Sequence, residues 1–455
     1  MEALGPPSAA QVTILVDGAP HRVPAGQNLL AACLSLGFEI PYFCWHPALH
    51  SVGACRQCAV KVFRDEHDAA GTIVMSCETP VAEGLRVSIA DPEARAFRAA
   101  VSEWLMAGHP HDCPVCDEGG ECHLQDMTVL TGHVRRRYRF DKRTHRSQDL
   151  GPFVNHEMNR CIQCFRCVRF YRDFAGGTDL DVFGAHRNLF FGRHRDGALA
   201  SGLAGNLVEI CPTGVFTDKT FKARYVRPWD LATAPSICPH CGVGCNTIVG
   251  ARGGVLRRVR NRYHGEVNGF FLCDRGRFGN EFVNDARRVR RPLLRAGRGA
   301  EAVATAPAAV EAWLRARLHF GANVIGIGSP RASLEANYAL RRLVGPERFF
   351  AGMAAREHRL VALAARIVRR GPARTPTLRE AAGADAALVL GEDFTQTAPL
   401  LALALRQCAM QAPLEDAVRS GIPPWRGEPL RRFTQGRRGP LFVASPAATG
   451  LDDAA

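Results

Sequence analysis

At 455 residues the chain is too long for one ordinary domain, and about three are expected. A hydrophobic content of 46% suffices for buried cores and excludes global disorder. No apolar stretch is long enough to span a bilayer, and Met1 to Ala10 has neither the basic nor the apolar segment of a signal peptide, so a soluble, cytoplasmic chain is expected. The formal charge of +14 invites a nucleic-acid reading, but it counts 17 cysteines as neutral.

Val12, Ile14 and Val16 alternate, Asp17-Gly18 turns and His21 to Pro24 returns, so Gln11 to Gly26 predicts a hairpin. Asn28 is placed to cap a helix running to Gly37. Short strands are predicted at Gln57–Phe63 and Leu85–Ile89, with cysteine loops between, an order that suits a β-grasp fold. Asp91-Pro92 opens a helix whose apolar positions Phe97, Val101, Trp104 and Leu105 keep helical spacing, and which stops at Gly108. Residues 131–160 are basic and loop-like, and cysteine-rich segments follow up to Asp274. From about Arg287 clustered cysteines cease. Asn323–Gly328 and Ala386–Gly391 read as buried strands, each followed by a helix, the pattern of an α/β domain with a parallel sheet. A strand at Leu441–Ala444 leaves that βα repeat unfinished.

Disulfides rarely persist in the cytosol, so cysteine spacing decides the chemistry. Cys33 and Cys408 stand alone in helical runs and are expected as buried thiols. The others form four sets. Cys44, Cys55, Cys58 and Cys77 are spaced C-x10-C-x2-C-x18-C, with Gly53 letting the loop fold close. Four thiolates hold a [2Fe–2S] core, and the β-grasp setting supports that over zinc, which also accepts four cysteines. Cys113, Cys116 and Cys122 need a fourth ligand, which either His109 or His111 could supply. Cys161, Cys164 and Cys167, with Cys211 before Pro212, carry the C-x2-C-x2-C run and remote Cys-Pro of a [4Fe–4S] site. Where a two-cluster ferredoxin has a further cysteine stands Tyr171, which argues for one cluster there. Cys238, Cys241 and Cys245, with Cys273, form the last set. Fifteen thiolates contribute −15 and the four oxidised cores +8, leaving about +7, so part of the basic excess offsets the chain's own centres.

These residues resemble the large iron–sulfur subunit, the G subunit, of bacterial NADH–quinone oxidoreductase, respiratory complex I. The ligand spacings agree, as does the text of Arg160–Cys164, Gly205–Gly214, Phe271–Phe278 and Gly328–Asn337. The resemblance implies that His109, not His111, completes the second set. It also implies an α+β multidomain chain: a [2Fe–2S] ferredoxin-type domain over 10–90, a His-Cys₃ [4Fe–4S] domain over 91–130, a [4Fe–4S] domain over 131–230 and a Mo/W-oxidoreductase-type [4Fe–4S] domain over 231–287. A molybdopterin-oxidoreductase-like domain without its cofactor follows over 288–455, cut short at the C-terminus relative to the family. The implied cofactors are one [2Fe–2S] and three [4Fe–4S] clusters, with no molybdopterin. The implied work is electron transfer from NADH and FMN on a partner subunit towards quinone-proximal iron–sulfur subunits, coupled to proton translocation by the complex. The fourth cluster is implied to lie off that path. The implied place is the cytoplasmic side of the inner (plasma) membrane, reached only through the complex.

The alternative is the iron–sulfur subunit of a soluble NAD-linked hydrogenase or formate dehydrogenase. A cofactor-holding formate dehydrogenase would need a molybdenum ligand well beyond Cys273 and a lysine where Arg275 stands. The run Arg135–Arg139 with Lys142 and Arg143 invites nucleic-acid binding, but charge runs are usually solvated faces or partner contacts, and no nucleic acid is expected. Gly326-Ile327-Gly328 follows a strand, yet Arg331 replaces the third glycine of a dinucleotide fingerprint.

Overall fold

The structure is a computed structural model that describes residues 10–318 and 323–455, so the reading of Met1 to Ala10 lies almost wholly outside it. Two compact units form, one from Met1–Asn280 with Thr377–Ala455, the other from Glu281–Pro376.

The first unit opens with β1 (Gln11–Val16) and β2 (Ala19–Pro24), antiparallel with Val16 opposite Ala19 around the predicted turn. Helix α1 (Leu29–Ser35) starts where Asn28 Oδ1 accepts from the Ala31 amide at 2.8 Å. Strands β3 (Ala59–Phe63), β4 (Thr72–Met75) and β5 (Arg86–Ser88) complete a sheet of order β2-β1-β5-β3-β4, with β1 and β5 parallel. Ile14, Val16, Leu29, Leu30, Val60 and Val87 fill the core beneath α1, so the β-grasp expectation holds. The edge strand β4 was not expected; Thr72–Met75 is too short to show an alternating pattern.

Helix α2 (Pro92–Gly108) begins at Asp91, whose side chain accepts from Glu93 and Ala94. Its predicted apolar stripe is only partly right: Val101 is buried, but Trp104 is 66% exposed. The sheet is met instead by the buried Arg98, which donates to the Ala59 and Ile89 carbonyls at 2.8 Å. Beyond α2, regular elements are short, and a core of Met158, Phe170, Tyr171, Phe191, Leu207 and Phe216 is wrapped by loops.

Residues 288–455, expected as one partial domain, divide between the units. Thr377–Ala455 joins the cysteine-bearing part because it is bonded to it: Trp425 Nε1 donates to the Gly26 carbonyl at 3.0 Å, the Ser51 amide to the Trp425 carbonyl at 2.7 Å, and Gln407 to the Phe174 carbonyl at 2.9 Å. Ala387–Leu390 pairs parallel with Leu441–Ala444, as the βα reading predicts. It is not buried throughout: Val389 faces in, while Leu388 and Leu390 face out, because only one partner strand and one covering layer are present among the described residues.

In the second unit Gly326-Ile327 pairs parallel with Phe349-Phe350. Helices Leu334–Val344 and Ala355–Arg370 follow in the expected order. The strand expected to be buried is not: Gly326 is the one buried residue described between 281 and 376. Among the described residues no helix is long and apolar enough to cross a membrane.

Candidate metal centres

The first set is built on the loop between α1 and β3, closed by the turn Ser76–Glu78. Gly53 (φ 63°) and Arg56 (φ 58°) take left-handed backbone that bends the loop around Cys55 and Cys58. The Ser76 amide and hydroxyl both donate to the Cys58 carbonyl, at 3.0 and 2.8 Å, bringing Cys77 beside Cys58. All four sulfurs form one hydrogen-bonded group. S–H donors from Cys55 and Cys77 favour the thiolate on Cys44, while Cys55 and Cys77 themselves hold their protons.

In the third set Gln163 (φ 57°) and Phe165 (φ 61°) are left-handed, and the Gln163 amide donates to Cys161 Sγ at 3.3 Å. Cys161, Cys164, Cys167 and the distant Cys211 line one cavity, walled by Ile162, Phe191 and Phe216. Burial raises all four thiols, Cys164 to about 11, so metal binding must release their protons. In the fourth set the Cys238 amide donates to the Cys245 carbonyl at 2.8 Å, and Gly244 (φ 64°) turns between them. Asn206 brackets Leu272, accepting from its amide at 2.9 Å and donating to its carbonyl at 2.8 Å, which sets Cys273 at the start of helix Asp274–Phe278.

The second set separates the two histidines. His109 ends α2, is 8% exposed, and has a buried Nδ1 with no partner among the described residues. Burial lowers it to about 4, so its imidazole is neutral and ligand-competent at pH 7. His111 is exposed. Cys113 and Cys116 bound a single turn, and Cys122 leads into helix His123–Leu130. Gly214 is a requirement that spacing does not reveal: a Cβ there would lie 2.6 Å from Cys116 Sγ.

These sets are neighbours. Cys44 and Cys55 of the first, Cys122 of the second and Cys164 of the third share one buried cluster with Phe43, Leu124 and Ile162. Cys167 shares another with Cys238, Cys245 and Cys273. His123 Nε2 donates to the Tyr42 carbonyl at 2.6 Å, and the Leu124 amide to the Pro212 carbonyl at 3.1 Å. Arg160 joins Asp112 at 2.7 Å and the Gly214 carbonyl at 3.2 Å. The basic run is not simply a solvated face: Arg136 donates to the Ala107 carbonyl at 3.1 Å, and Lys142 to that of His109.

Thiolates spread around a volume, as in the third set, suit a polynuclear core. The lone cysteines fit their expected role: Cys33 is fully buried, which raises it to about 12, and Cys408 Sγ rests 3.2 Å from the Ala384 carbonyl.

A β-grasp domain followed by tightly looped cysteine sets defines an iron–sulfur protein of ferredoxin type, and sequence comparison agrees along the chain. Residues 9–92 match the 2Fe-2S iron-sulfur cluster binding domain and 98–137 the NADH-ubiquinone oxidoreductase-G iron-sulfur binding region. Residues 151–217 match the ferredoxin-like domain of NADH-quinone oxidoreductase subunit 3, and 231–285 the molybdopterin oxidoreductase Fe4S4 domain. The NADH-quinone oxidoreductase G subunit of Pseudomonas fluorescens is 57% identical over 97% of this chain and 48% of that protein; the Escherichia coli K12 protein is 56% identical over 97% and 49%. A solved chain of an NAD+-reducing [NiFe]-hydrogenase aligns at 29% identity with a TM-score of 0.42, over 46% of this chain and 88% of that one. Over 97% of its length the chain is similar to NADH–quinone oxidoreductase G subunits. It spans about half the length of the curated relatives it matches.

Proposed function

We propose that the chain holds one [2Fe–2S] cluster on Cys44, Cys55, Cys58 and Cys77. Three [4Fe–4S] clusters sit on His109, Cys113, Cys116 and Cys122; on Cys161, Cys164, Cys167 and Cys211; and on Cys238, Cys241, Cys245 and Cys273. The corresponding domains are 10–90, 91–130, 131–230 and 231–287. In this reading the chain is the electron-transfer subunit of an NADH–quinone oxidoreductase. It receives electrons from an NADH- and FMN-binding partner and delivers them to quinone-proximal iron–sulfur partners on the cytoplasmic side of the membrane, in a complex that translocates protons. Bound clusters supply one-electron transfer without bond breaking.

The protein's part is to hold ligands close and dry. The observation that carries the reading is the shared burial of Cys44, Cys55, Cys122 and Cys164 around Phe43, Leu124 and Ile162, which puts ligands of three sets in one water-excluding core. Such packing suits electron relay and has no evident use in a chain with independent structural metals. No residue of 288–455 is proposed as a molybdenum ligand, since Cys408, the cysteine of that stretch, is inside a helix and buried. The direct test is EPR of the reconstituted chain reduced stepwise: the reading requires four distinguishable iron–sulfur signals, and a colourless zinc protein would refute it.

A further inference from the structure

The helical segment that follows Cys164 carries three arginines, two of which turn inward. Arg166 is buried and Arg169 half-buried, three positions apart on Arg166–Val168 and the π-helical turn Arg169–Phe174 that continues it. Both reach away from their own cysteine set and into the loop of the first. Arg166 Nη2 donates to the Trp45 carbonyl at 2.6 Å. Arg169 Nη1 donates to the Leu49 carbonyl at 2.8 Å and the His50 carbonyl at 3.2 Å, and its Nη2 donates to the carbonyl of Cys44 itself.

Neither guanidinium ends on a carboxylate among the described residues; nearby Asp173 is taken by Arg172 at 2.7 Å. Each also keeps a buried Nε–H with no acceptor among the described residues. Two adjacent inward cations without a carboxylate would be costly unless other negative charge faced them. On the cluster reading, the groups that carry negative charge on either side are the cysteines of the first and third sets. Cys44 and Cys164 share the buried cluster around Phe43 and Ile162, so a guanidinium bonded to the Cys44 carbonyl and carried two residues beyond Cys167 faces both sets.

We propose that Arg169, assisted by Arg166, is a positioning residue shared by two sites. Rooted in the third set, it clamps the Cys44–His50 loop of the first and sets one positive charge between them, raising the reduction potential of both. This rests on the reading that both sets hold clusters. A fixed cation stabilises the added electron, so its loss must lower both midpoints together, which a purely structural clamp on one loop would not do.

The test is an EPR-monitored redox titration of the full chain, anaerobically reconstituted, comparing the parent with Arg169→Gln, Arg169→Lys and Arg146→Gln, an exposed arginine paired with Asp196. Arg169→Gln is expected to lower both midpoints, shifting the oxidised-to-reduced ratio at fixed potential about tenfold, or about 59 mV for a one-electron couple. Arg169→Lys should recover most of that shift at the third site. A lysine cannot span three carbonyls, so the first-site signal should stay altered. Arg146→Gln should move neither. Unchanged midpoints in Arg169→Gln, a shift at one site alone, or an equal shift in Arg146→Gln overturns the proposal. If Arg169→Gln loses its first cluster, Arg169→Lys decides: a parent-like first-site signal overturns the proposal and an altered one supports it. A parent lacking either signal refutes the cluster reading itself, and the proposal with it.

Discussion

Between residues 109 and 280 no helix exceeds eight residues and several strands have only three, yet Phe170, Tyr171, Leu207 and Phe216 are all but inaccessible to solvent. Between 281 and 376 two helices reach 11 and 16 residues, yet Ile327, Leu343, Leu360 and Ile367 are each more than half exposed. Regular backbone is therefore a poor index of packing in this chain. Helices satisfy their own hydrogen bonds whether or not they bury a face. A thiol loop brings ligands from distant positions together only if the side chains between them turn inward too, as Ile162 does beside Cys164 and Leu124 beside Cys122.

The sharpest way to break this contrast is a single methyl group. Gly214→Ala places a Cβ on Cys116 Sγ and should cost the second cluster, about four irons per chain, with the other three retained. Gly297→Ala in the open unit meets nothing and should cost none. Iron analysis of both variants checks this, and equal iron contents would show that the close approach does not matter. Limited proteolysis tests the contrast as a whole. Cuts mapped by mass should fall within 281–376 first, while 377–455 stays protected through Trp425 and Gln407. Simultaneous loss of both stretches would contradict the division seen here.

Within the second site, His109→Ala should lose or convert the cluster, whereas His111→Ala should leave it intact. His109→Cys should keep a cluster at lower potential, because a thiolate adds negative charge where imidazole is neutral. EPR titration separates the three, and loss on His111→Ala alone would reverse the ligand choice.

The response to acid should differ between the regions as well. Burial holds His46 at about 3 and His50, His109, His123 and His156 at about 4 in the folded chain. Unfolded imidazoles titrate near about 6.5. These groups are depressed, so the stability they contribute is present above about 6.5 and drains away as pH falls towards about 4. Amide exchange of the apo chain should accelerate through that window in 10–280, and a flat response there would count against buried neutral histidines. The smallest effect expected is at helix caps. Asn28→Ala should lower the stability of the first unit by about 1 kcal/mol. Ser333→Ala, which removes the acceptor for the Ala336 amide in the other unit, should leave that transition unmoved in a denaturant melt.

The hairpin could be read from alternation alone and α1 from its Asn28 cap. What escaped were contacts made by side chains whose type suggests something else. Arg136, Lys142, Arg166 and Arg169 look like solvated charge, since long cationic side chains are ordinarily so, but each donates to a backbone carbonyl beside a cysteine set. Spacing from Cys113 does not choose between His109 and His111; the resemblance favours His109, and the two differ in burial, His109 being buried and His111 exposed. Ala386–Gly391 was legible as a strand, whereas its exposed Leu388 and Leu390 were not, because apolar composition does not say how many layers will cover a sheet.

The central claim is that the four sets hold four iron–sulfur cores. The most direct measurement is iron, acid-labile sulfide and zinc in the same anaerobically reconstituted sample. The account predicts about fourteen irons and as many sulfides per chain, with negligible zinc. Stoichiometric zinc with less than about a quarter of that iron would contradict it.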